Sequence, residues 1–205
     1  MNDKRSINLK RISLKIEKLS LWFLPIVFLV SVILLHDSNG KFYLQFTDPE
    51  YFHLFNGLNL SIFNLAVDYI DHPGTTVQVL FAVSAHIVNL MLPGCDIITN
   101  GLNNPEEFIH AANLLLNIIC TIALFLLGYY TFKYTGNISL SLLMQLTYFL
   151  GIGLLIISAR ILPESVFIVV LLFLVLLIIR YIYDSDEGRS SKTYAVAFAI
   201  ISGLG

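Results

Sequence analysis

Apolar residues fall in long blocks along the chain, at 20–36, 75–92, 108–132, 138–157, 165–183 and from 194 onward. A helix of about 20 apolar residues crosses the hydrocarbon core of a bilayer. The pattern therefore predicts an all-α polytopic membrane protein. A different pattern follows the first block. Phe52, Phe55, Leu58, Ile62 and Leu65 recur at helical spacing, which predicts an amphipathic interfacial helix over about 51–67. Asp48 is a suitable N-cap for it and Pro49 suits its first turn.

Charge decides how the blocks cross. The chain has 205 residues, 57% hydrophobic and only 13% charged, with a mean hydropathy of +0.79. A soluble domain is nearer a quarter charged. Six of the twelve Lys and Arg lie in residues 1–19. No small-residue cleavage site follows the first apolar block, so it reads as a retained span with its N-terminus in the cytoplasm. The basic segment itself reads as an interfacial helix on an anionic leaflet or as a plain topological anchor.

The positive-inside rule then tests block 75–92. If it crosses, seven Lys and Arg lie inside. If it rests on the outer surface, Lys133, Arg180, Arg189 and Lys192 join the N-terminal six and ten lie inside. Its 18 or so residues would reach only about 27 Å, and it carries Gln78, Ser84, His86 and Asn89. The expected layout is an outer loop over 37–106 with interfacial helices at 51–67 and 75–92. Spans are expected at about 20–36, 108–132, 138–157 and 165–183, with a partial one at 194–205. A crossing helix at 75–92 is the alternative.

Polar chemistry concentrates in the predicted outer loops. The first, with Glu107 just past its end, holds eight of the 14 acids. "DPEY" (48–51) offers carboxylates that could serve as a general base or hold a divalent ion; a capped helix explains Asp48 equally. "DHPG" (71–74) reads as a turn before a helix, with His72 a titratable donor or metal ligand. In "ARILPE" (159–164), Arg160 suits a lipid-linked phosphate, although a snorkelling arginine or a salt bridge is the plainer account. His110 and Asn113 read as a helix–helix polar contact. Cys95 and Cys120 have no metal or redox spacing.

In order and topology these motifs resemble the C-type (GT-C) membrane glycosyltransferases, such as protein O-mannosyltransferases and aminoarabinose transferases. That pattern has an early acidic motif, an "HPP"-like turn and an arginine with a downstream acid. Here Gly74 replaces the second proline, Pro49 splits the acid pair, and the later acid is Glu164. The resemblance implies an inverting transfer of a sugar from a polyprenyl-phosphate donor to a lipid, glycan or protein acceptor on the outer face. Asp48 would be the base, and Glu50 would assist it or share a divalent metal ion with it. Arg160 and Glu164 would serve the donor phosphate, with Asp71, His72 and Tyr51 at the donor pocket. It implies a bacterial inner membrane, and no nucleic acid partner is expected. The chain ends within an apolar run, which reads as the N-terminal part of a longer protein and one inactive alone. A transporter or flippase fragment and a non-catalytic assembly subunit are the competing classes.

Overall fold

The computed structural model describes residues 16–38, 40, 50–65, 75–92, 94–185 and 191–203. Among them the chain is helical throughout, with no strand. Three helices are long and apolar enough to cross a membrane. These are α1 (Ile16–Ser38), α5 (Pro105–Thr135) and the apolar body of α8, Pro163–Asp184. The core lies where α1, α5 and α8 meet the shorter helices, around Phe28, Phe81, Phe108 and Ile161. Away from the core, α1 turns Ile26, Val30 and Leu34 outward at four-residue spacing. Such a stripe is what a helix against lipid presents.

α2 (Glu50–Ser61) stops earlier than the periodicity to residue 67 predicts. Phe63 adopts φ 57°, with Asn64 N–H donating to Asn59 O and Phe63 N–H to Leu60 O. That pair of bonds is a Schellman ending, normally built on glycine because a Cβ is strained at such φ. α3 (Thr75–Met91) packs against α2 and α5. The approach of α2 to α3 is close, since a Cβ on Gly57 would stand 2.3 Å from the Phe81 Cβ. At 17 residues α3 is shorter than the three long helices. Three of its polar residues, however, bond within the protein, although His86 is exposed. Ser84 Oγ donates to Phe81 O, His86 Nε2 lies 3.2 Å from Ser61 O, and Asn89 Oδ1 accepts from Asn100. Polar content therefore says little about whether this segment crosses; its length and the distribution of Lys and Arg are the remaining arguments.

α4 (Ile97–Asn103) begins on Asp96, whose side chain accepts from the Ile98 and Thr99 amides. α5 starts with Pro105, Glu106 and Glu107 and ends at Gly136 in the left-handed conformation. Proline and acids at the start and a glycine at the end are what the free backbone groups and the helix dipole favour. The segment 138–157, expected as one span, is broken. α6 (Ile138–Leu146) runs into a 3₁₀ turn at Thr147–Leu150, and α7 (Ile152–Ser158) departs at 74°. Gly151 sits at the break in extended geometry. Counting this bent pair as one span gives up to four. α8 (Pro163–Ser185) and α9 (Ser191–Ser202) pack on each other and close the bundle.

Candidate functional site

The stretch from Ser158, the last residue of α7, to Leu162, just before α8, is gripped from several elements. Ser158 O accepts from Asn113 Nδ2 at 3.2 Å and Asn117 Nδ2 at 2.9 Å, both on α5. Its hydroxyl meets the Tyr148 hydroxyl at 2.5 Å across the Gly151 break. His36, at the end of α1, donates from Nδ1 to Ala159 O at 2.9 Å. A carbonyl can only accept, so the proton is on that nitrogen. Glu50, in the first turn of α2, accepts from the Ile161 amide at 2.7 Å. Leu162 N–H donates to Ser165 Oγ at 2.9 Å. Buried backbone polar groups must find partners, and this loop finds them in α1, α2, α5 and α8.

Arg160 lies between the two clamps. The peptide before it is held by His36 and the peptide after it by Glu50, while its own amide bonds Ile157 O. The Arg160 side chain is half-buried. Glu50 is 2% exposed. A buried carboxylate is costly unless it is hydrogen-bonded, and the Ile161 amide at the entry to α8 meets that need. The positive end of the α8 dipole adds to it.

The remaining predicted residues divide. Glu164, in the first turn of α8, is exposed and Tyr51 is half-buried. Tyr51 packs against Phe52 at 4.6 Å and Phe55 at 6.0 Å between ring centroids. Asp48, Asp71 and His72 lie outside the described residues. The structure thus brings Glu50 of "DPEY" to Ile161 of "ARILPE". Asn113 makes a helix–helix contact as expected, and His110 tilts against His36 at 5.1 Å. For a divalent ion, the described residues offer Glu50 but no group of three or more His, Cys, Asp or Glu. One oxygen of Glu50 is already committed to the Ile161 amide.

Two features escaped the sequence reading. His36, Asn117 and Tyr148 join the loop only through the fold. Asp184, read as part of a loop at 183–192, sits in the last turn of α8 and is 3% exposed. It accepts from the Tyr134 and Tyr194 hydroxyls. The density of tyrosine at 129–134 and 181–194 was the available signal. Compared with protein-family models, curated proteins and solved structures, the chain finds no match in any of the three.

Proposed function

We propose that this protein transfers a sugar from a polyprenyl-phosphate donor to a hydroxyl acceptor at the membrane surface. The observation that supports this reading most is the bracketing of Arg160 between the His36 and Glu50 clamps. A guanidinium carried on a clamped backbone, beside apolar helices, suits a phosphate that arrives on a lipid and stays at the interface as leaving group. In the reaction, the acceptor oxygen bonds the anomeric carbon as that carbon's bond to the phosphate oxygen breaks, with inversion. The acceptor proton passes to Asp48. The polyprenyl phosphate departs with its extra negative charge beside Arg160. Glu50 is a positioning residue in this scheme, acting through Ile161, and Glu164 orients groups at the α8 entry. Asp71, His72 and Tyr51 shape the donor pocket.

One observation favours a second reading. The α6–α7 pair is bent by 74° beside the buried amides of Asn113 and Asn117, and discontinuous helices form the binding sites of many transporters. The two readings separate in proteoliposomes supplied with synthetic polyprenyl-phosphate mannose. Transfer predicts release of polyprenyl phosphate, reduced about 100-fold or more by Asp48→Asn and by Arg160→Ala. Passage of intact donor across the bilayer without cleavage would instead establish transport.

A further inference from the structure

The end of the bundle opposite Arg160 carries a second polar cluster. Tyr134 donates to Asp184 Oδ1 at 2.9 Å, and Tyr194 donates to Oδ2. Arg180 Nη2 stands 4.0 Å from Oδ2, the outer limit of an ion pair. Tyrosine hydroxyls rather than the guanidinium therefore satisfy this buried carboxylate at hydrogen-bond distance. Arg180 Cζ lies instead 4.9 Å from the Tyr130 ring centroid, and its Nε has no hydrogen-bond partner among the described residues. Lys133 Nζ approaches the same ring at 5.6 Å and the Tyr134 ring at 5.3 Å. Lys133 is exposed, and the Arg180 side chain is 37% exposed.

Two cations from different helices thus share one aromatic platform, and the one described acid beside them is turned into the protein. Lys133 alone has a simpler account, since a cation in the last turn of α5 complements the helix dipole. That account does not bring Arg180 of α8 to the same ring. Location adds to the argument. Lys18 lies at this end too, one turn before Trp22, which stacks on Phe125 at 3.9 Å. Of the described acids, Glu50, Glu106, Glu107 and Glu164 lie toward the other end, while Glu17 stands beside Lys18 at this one. Lys and Arg mark the cytoplasmic side of membrane proteins, and tyrosines gather at the depth of the headgroups. Tyr181 and Tyr183 are each 41% exposed here.

We infer that Lys133 and Arg180, on the Tyr130–Tyr134 platform, bind the phosphate of an anionic phospholipid headgroup. The inference does not depend on the transferase reading. The test is native mass spectrometry of the full chain in detergent, titrated with phosphatidylglycerol, with phosphatidylcholine, and with phosphatidylglycerol plus excess inorganic phosphate. The expected result is preferential retention of phosphatidylglycerol, unchanged by inorganic phosphate. Lys133→Gln and Arg180→Gln should each weaken it about fivefold, while Lys18→Gln, a charge control at the same end, leaves it intact. Lys133 is exposed, so its variant decides the matter even if Arg180→Gln fails to fold. Equal loss in Lys18→Gln would reduce the effect to bulk charge and overturn the proposal. Displacement by inorganic phosphate, or no preference over phosphatidylcholine, would also overturn it.

Discussion

The Glu50 carboxylate accepts the Ile161 amide at 2.7 Å across 111 residues of chain. This bond joins the first turn of α2 to the entry of α8. Together with the His36 bond to Ala159, it fixes the backbone on both sides of Arg160. The acid next to Pro49 is therefore a fastener for the loop that carries the cation.

Removing that fastener should cost stability. Glu50→Ala leaves the Ile161 amide buried without its acceptor, a loss of about 1–3 kcal/mol. Glu50→Gln keeps an acceptor oxygen and should lose less. Thermal unfolding of both variants in one detergent checks the order. Equal losses would mean that the hydrogen bond contributes nothing beyond side-chain volume.

Much of the helix layout was legible in the sequence because a span announces itself by length and apolarity. The blocks at 20–36, 108–132 and 165–183 appear as Ile16–Ser38, Pro105–Thr135 and Pro163–Asp184. Their ends moved outward, to Pro105 at the start of α5 and to Gly136 beyond its end. The break at Gly151 was not legible, since Gly151 and Gly153 in an apolar run are also compatible with a continuous helix. Nor were the clamps on Arg160. Partners separated by 111 and 123 residues leave no periodicity to read. The partners of the polar residues of 75–91 were not legible for a related reason. Composition counts a polar side chain without knowing that His86 and Asn89 have partners in the fold.

Gly128 tests how tightly α1, α5 and α6 are joined. Gln145 Nε2 donates to Leu21 O at 3.0 Å and Leu124 O at 3.1 Å. A Cβ on Gly128 would stand 2.3 Å from that nitrogen. Gly128→Ala should therefore displace the buried amide and cost about 1–3 kcal/mol. Gly153→Ala, where a Cβ meets nothing within 4 Å, serves as the tolerant control. Comparable unfolding temperatures for the two variants would contradict the packing described here.

Asp184 ties α5, α8 and α9 at the opposite end. Tyr134→Phe and Tyr194→Phe each remove one hydroxyl donor to a buried carboxylate. Each should cost about 1.5–3 kcal/mol in the presence of Asp184. In an Asp184→Asn background the costs should shrink, because a neutral acceptor binds a hydroxyl less strongly. A double-mutant cycle by thermal unfolding reads the coupling directly, and strict additivity would count against it.

Asp96 gives a pH dependence with a defined sign. The Thr99 hydroxyl, then the Thr99 and Ile98 amides, hold its carboxyl below the ordinary aspartate value. A lowered folded-state pKa stabilises α4 above the unfolded value of about 3.9. That contribution is lost as pH falls through the lower folded value. The stability difference between wild type and Asp96→Asn should hence be flat at neutral pH and narrow only under acid conditions. A difference that changes between pH of about 6 and 8 would assign the effect to another group.

In the proposed function, the clamped Arg160 receives a lipid-borne phosphate for a reaction in which Asp48 is the base. The most direct measurement pairs binding of polyprenyl phosphate with turnover of polyprenyl-phosphate mannose, for wild type, Arg160→Gln and Asp48→Asn. Arg160→Gln is expected to lose both, while Asp48→Asn binds as wild type does and fails to turn over. Polyprenyl phosphate binding unaffected by Arg160→Gln, or full turnover by Asp48→Asn, would contradict the proposed function.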